Sequence, residues 1–174
     1  MKKILICTAM TVMICSSVCA QENKAFKKGY RGGLELENMV LVNKDDQTAA
    51  LGVTTFHGYS YGNGMYVGGG LGLVSELYVS DIERAQIFVE GKYNFVDGHV
   101  SPFAQLRTGL EFNAWNNNRI GLFLSPAMGI DFSRFTLRIS YRLTGTQAPV
   151  TVNSQRATLV GRNNWITCAF GFYF

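Results

Sequence analysis

Histidine is nearly missing from this sequence, and cysteine is missing from most of it. The 174 residues hold two histidines, His57 and His99, and four cysteines, of which Cys7, Cys15 and Cys19 fall among the first twenty positions. Neither histidine has a Cys or a convergent carboxylate at the short spacing that metal sites require, so no metal and no cofactor is expected. Cys168, the remaining thiol, cannot form an intramolecular disulfide. Proline is down to three residues while glycine is abundant and the aromatics are spread along the chain, a distribution that fits many short strands better than helices. No serine is coupled by pattern to a histidine and a carboxylate, so the residues of nucleophilic catalysis are not assigned and no enzyme is expected. Nor is there a marked excess of one charge: 16 Lys and Arg stand against 12 Asp and Glu. Nucleic acid is not an expected partner.

The first twenty residues read as an export signal. Lys2 and Lys3 precede an apolar stretch from position 4 to 14, and Val18-Cys19-Ala20 supplies the small-residue end of a cleavage site. Val18 ahead of Cys19 argues against a lipoprotein signal. The apolar stretch is also shorter than the roughly twenty residues that a membrane helix needs. Cleavage after Ala20 leaves residues 21–174 as a single domain, with 14 basic residues against 12 acidic ones. No later segment resembles a membrane helix.

What fills the remainder is alternation. Eight segments have period two: residues 29–37, 48–59, 65–74, 84–96, 100–112, 120–132, 135–144 and 165–174. The last puts Ile166, Cys168, Phe170, Phe172 and Phe174 on one face and smaller or amphipathic residues on the other. Short connections are predicted at 60–64, at Asp97-Gly98 as a type I′ turn setting Phe95 opposite Val100, and at Ser133-Arg134, pairing Phe132 with Phe135. Longer loops are predicted at 38–47, 75–83, 113–118 and 145–162, the last in part a strand extension above the membrane. Pro126 implies a local bulge. Short and long connections thus alternate around an even number of strands, the pattern of a membrane barrel with both termini on the periplasmic side.

The two faces say which kind of barrel. One carries Arg31, Glu35, Glu37, Glu90, Lys92, Arg107, Glu111, Asp131, Arg138 and Arg142; the other runs to Leu, Ile, Val and Phe. A soluble lipocalin-like barrel would need the second face to crowd into one cavity while the ten charges faced water. In an all-β, eight-stranded antiparallel transmembrane up-and-down barrel the charges neutralise one another in the bore and the oily face meets lipid. Inward Phe56, Phe88, Phe103, Phe123 and Tyr173 leave little lumen, favouring a filled core over a charged filter. The expected role is therefore structural or adhesive, with a narrow pore for ions or very small solutes as the runner-up. A lipid-modifying enzyme ranks below both. His57 is expected on the outer face near the periplasmic rim and His99 beside the Asp97-Gly98 turn, both as ordinary interfacial residues.

The region from 21 to 174 resembles the small outer-membrane β-barrel proteins of Gram-negative bacteria, of the OmpA and OmpX size class. More narrowly, Gly29-Tyr30-Arg31-Gly32 with Leu34-Glu35, residues 54–59 ending in His57-Gly58-Tyr59, Tyr93-Asn94-Phe95 before Asp97-Gly98, and Val100-Ser101-Pro102-Phe103-Ala104 are similar to segments of an uncharacterised Bacteroidetes barrel group. Phe172-Tyr173-Phe174 resembles the C-terminal aromatic signal read by the outer-membrane insertion machinery, which implicates Phe170, Phe172 and Phe174 in assembly. The resemblance implies an outer-membrane location, contact with lipid and lipopolysaccharide, a monomeric barrel and an unidentified extracellular ligand at the loops. It supplies no catalytic pattern.

Overall fold

The structure, a computed structural model, describes residues 26–42, 49–77, 82–113, 120–152 and 155–174. The expected export signal and the tips of the four longer connections lie outside the described residues.

Eight strands follow one another: β1 (Gly29–Leu41), β2 (Ala49–Ser60), β3 (Met65–Glu76), β4 (Ile82–Asn94), β5 (Val100–Asn113), β6 (Ile120–Phe132), β7 (Phe135–Val152) and β8 (Gln155–Tyr173). Each pairs with the next in antiparallel register, and β8 returns to β1, from Gly33 opposite Tyr173 to Leu41 opposite Trp165. The sheet is closed, so its backbone groups find partners around the ring and no edge is left within the wall.

Period two sorts the side chains. In β6, Ile120, Leu122, Leu124, Met128 and Ile130 are exposed on the outer wall, while Phe123, Ser125 and Asp131 are buried in the bore. The same sorting leaves Leu122 65%, Met128 71% and Ile139 60% exposed, whereas Arg107 is only 2% exposed. An oily exterior around an ionic interior is the arrangement suited to hydrocarbon, since a soluble barrel sorts its faces the other way.

Glycine acts where the wall must be thin or turn sharply. A Cβ at Gly129 would lie 2.9 Å from Cε1 of Phe103, so its absence lets that ring occupy the bore. Gly64, at φ +88°, ends the turn between β2 and β3 in a conformation that side chains disfavour.

Several local expectations are corrected. The β4–β5 connection is not a two-residue type I′ turn. Asn94 pairs with Phe103, so the register is displaced by two residues and Phe95 lies level with Pro102, whose carbonyl accepts its N–H at 2.9 Å. Gly98 is absent from the positive-φ residues that a type I′ turn demands. Polar groups hold the wider loop instead: Ser101 Oγ donates to the Val96 carbonyl at 2.6 Å, and the Asp97 carboxylate accepts the Phe26 N–H at 3.2 Å. A shift by two keeps every side chain on its expected face. Ser133-Arg134 does form the tight turn that pairs Phe132 with Phe135, with Ser133 at φ 56°.

Pro126 makes no bulge. Register to β7 is the same on either side of it, from Leu124–Leu143 to Ala127–Ser140, and pairing simply lapses where the ring lacks an N–H. The register shift lies between Val74 and Ser75 in β3. The stretch 145–162 is mostly strand: β7 continues to Val152 and β8 starts at Gln155, with Val152 opposite Gln155. Similarly, β1 takes in residues 38–41, β3 reaches Glu76 and β4 starts at Ile82.

Candidate functional site

The bore is built from the inward positions of all eight strands, and its centre is Arg107. Closure brings β1 across from β5, so one guanidinium meets three carboxylates. Nη1 donates to Glu37 Oε1 at 2.7 Å, Nη2 to Glu35 Oε2 at 2.8 Å and Nε to Glu90 Oε2 at 2.8 Å. Glu90 is the cross-strand neighbour of Arg107, whereas Glu35 and Glu37 come from the far wall. Arg138 Nη2 donates to the same two glutamates at 3.0 and 2.8 Å, and Gln105 donates to Glu90 at 2.6 Å. A planar fork held from several sides satisfies the carboxylates that burial would otherwise penalise.

Toward the short-turn end, Lys92 Nζ donates to Asp131 Oδ1 at 2.7 Å and also bonds to the Tyr173 hydroxyl. The other Asp131 oxygen accepts Asn94 Nδ2 at 2.8 Å. Lys92 Nζ lies 3.7 Å from the Phe103 ring centroid, and half-buried Arg31 lies over Tyr173 at 4.6 Å. Toward the loop end, Arg142 pairs with Glu111, donates to Gln86 at 2.6 Å and lies 3.8 Å from the Phe123 ring centroid. Met39, Leu41, Ala50, Val74 and Trp165 form an apolar cluster at that end. Phe56, Tyr66, Phe88 and Phe123 form a second cluster in the bore.

Thus nine of the ten charges placed inward by sequence are buried, and Arg31 is half-buried. Sequence reading missed one further pair. Arg84 contacts Glu76 at 3.2 Å and Glu111 at 3.8 Å, and lies over the Trp165 ring. Arg84 already stood at the start of the expected strand 84–96, on the face of Gln86, and carrying the alternation of β3 from Val74 to Glu76 would have supplied its partner. Along β7 and β8, the buried hydroxyls of Thr136, Ser140, Thr144 and Thr167 have no hydrogen-bond partner among the described residues.

The outer wall carries a polar chain. The Tyr30 hydroxyl bonds to His57 Nδ1, and Thr55 Oγ1 lies 2.9 Å from Nε2, with Phe174 edge-on to the imidazole. The order hydroxyl, imidazole, hydroxyl resembles a nucleophile and its base. Yet the β2 backbone here is paired to β1 and β3 on both sides, so the ladder already holds the N–H groups that an oxyanion would need. His57 instead joins exposed Tyr30, Tyr59, Tyr93, Phe95 and Phe174 in an aromatic rim at the short-turn end. His99 is exposed in the β4–β5 loop, and Cys168 is a free thiol on the outer wall. Among the described residues, no group of three or more His, Cys, Asp or Glu side chains could hold a metal ion.

Phe170 and Phe172 pack on Phe135, each with ring centroids 5.6 Å apart, while the Phe174 N–H donates to the Gly32 carbonyl at 3.0 Å. These contacts join β8 to both of its neighbours at the seam where the barrel closes.

Neisserial surface protein A superposes on 88% of this chain and 100% of its own, with TM-score 0.52 and 12% identity. The fold is that of a small outer-membrane β-barrel. The N-terminal barrel domain of Pseudomonas aeruginosa OprF matches 85% of this barrel chain and 100% of its own, with TM-score 0.48 and 11% identity. The outer membrane protein AlkL, solved in lipid bilayers, matches 91% of this chain and 96% of its own, with TM-score 0.45 and 9% identity. No protein-family model and no curated protein matches the sequence.

Proposed function

We propose that this protein is a non-enzymatic barrel of the outer membrane of a Gram-negative bacterium, exported by residues 1–20, with a structural or surface-interaction role. The observation that carries this reading is the tie of Arg107 to Glu35, Glu37 and Glu90 across the bore. A transport path needs groups that can release their contacts, whereas this guanidinium is held from both walls. On this reading the outer wall contacts membrane lipid and lipopolysaccharide, the barrel is a monomer, and an unidentified extracellular ligand meets the loops. Phe170, Phe172 and Phe174 present the seam to the insertion machinery. The finer kinship, with the Bacteroidetes barrel group, rests on the sequence segments alone.

The buried hydroxyls of Thr136, Ser140, Thr144 and Thr167, which have no partner among the described residues, favour a second reading, a narrow pore along the β7–β8 side of the bore. Recording from planar bilayers separates the two. The filled barrel leaves the bilayer silent at moderate voltage, and stepwise conductance would replace it with the pore.

A further inference from the structure

A hollow of about 560 Å³ opens on the outer wall across β3, β4, β5 and β6, bordered by Gly69, Leu71, Ile87, Val89, Thr108 and Leu122. Register explains its shape. Gly69, Val89 and Thr108 lie along one rung of the wall, where Gly69 carries no side chain and the β-branched Val89 and Thr108 reach less far than leucine; the next rung holds Leu71, Ile87 and Leu122 at full length. The result is a step with aliphatic side chains standing over a low shelf. Thr108 does not make the shelf polar, because its hydroxyl donates to the Phe123 carbonyl at 2.9 Å, which commits the donor to the wall. No acidic or basic residue borders the hollow.

We propose that the hollow seats one acyl chain of a membrane lipid and retains it longer than the lipid around the rest of the barrel. The inference rests on the membrane-barrel reading above and adds a site to it. A hollow lined by hydrocarbon offers no hydrogen bond to orient a polar ligand, so its complement is a saturated chain. On a convex wall a chain is touched from one side only. In a recess it gains dispersion contacts from the shelf and from the standing side chains together. Lipid is the occupant favoured because the hollow is continuous with the exposed aliphatic belt of Leu73, Leu106 and Leu124.

The test compares the wild type, Thr108→Phe, which fills the hollow, and Ile139→Phe, which adds the same ring to the wall at β7. Each is reconstituted in nanodiscs of phosphatidylethanolamine and phosphatidylglycerol, checked for heat-modifiable migration and released for native mass spectrometry. The wild type and Ile139→Phe should keep one lipid per barrel under conditions that strip the others, and Thr108→Phe should keep it at least five-fold less often. Leu122→Trp narrows the hollow from β6 and should act as Thr108→Phe does, which covers a folding failure of either variant. Equal retention in all variants, or a folded wild type that keeps none, overturns the site while leaving the membrane barrel standing. A wild-type dimer abolished by Thr108→Phe would assign the hollow to a second copy and overturn the lipid. Failure of the wild type itself to fold in bilayers overturns the membrane reading and the site with it.

Discussion

Arg107 Nη1 and Glu37 Oε1 lie 2.7 Å apart, although they are 70 residues apart in sequence and stand on opposite walls of the bore. The two strands that carry them, β5 and β1, are not neighbours in the wall, so the contact couples the middle of the chain to its first strand across the curled sheet.

Arg107→Ala leaves Glu35, Glu37 and Glu90 without the cation they share. Arg138 still reaches the first two, but Glu90 keeps only Gln105. Removing one partner from a buried ionic cluster costs about 3–5 kcal/mol. Urea unfolding of the barrel in lipid vesicles should show a loss of that size. A loss below about 1 kcal/mol would mean that the network is a passive filling.

One position earlier, Leu106 is half-exposed on the outer wall. Leu106→Arg should lower membrane insertion by about 2–4 kcal/mol near the bilayer midplane. The folded fraction after refolding into vesicles measures it, and unchanged insertion would contradict the placement of this face in lipid.

Spin labels offer a check that leaves the ion pairs intact. Labels at Leu137 and Ile139 should be relaxed by oxygen dissolved in the acyl chains. Labels at Thr136 and Ser140, their buried neighbours on β7, should be shielded from it. The reverse pattern would turn the barrel inside out.

Phe174 contributes an exposed ring next to His57 and a backbone bond to Gly32. Phe174→Ala should slow assembly into the outer membrane without lowering the amount exported to the periplasm. Pulse-chase labelling with heat-modifiable migration follows both quantities, and an unchanged assembly half-time would remove this residue from the insertion signal.

The eight strands were legible because their residues alternate cleanly: Leu106 and Arg107 are consecutive and belong to opposite faces on any strand reading. Ser133-Arg134 was legible too, since the pairing of Phe132 with Phe135 needs nothing beyond the local chain. Asp97-Gly98 misled for the opposite reason. Its turn is set by Ser101 bonding back to Val96 and by Phe26 arriving from another part of the chain. Glu76 went unnoticed because its strand was ended at Val74, where the turn composition of neighbouring residues outweighed the continuing alternation, and Arg84, at the first position of its expected strand, had no visible partner without it.

Alternation alone determined that one face of this chain is oily, the other ionic, and that the strands number eight. Which ion meets which was decided only by the closed barrel, as was the recess around Gly69 and Thr108. Both depend on how far neighbouring strands are staggered when the sheet curls shut. That stagger is summed over all eight strands, so no single stretch of sequence contains it.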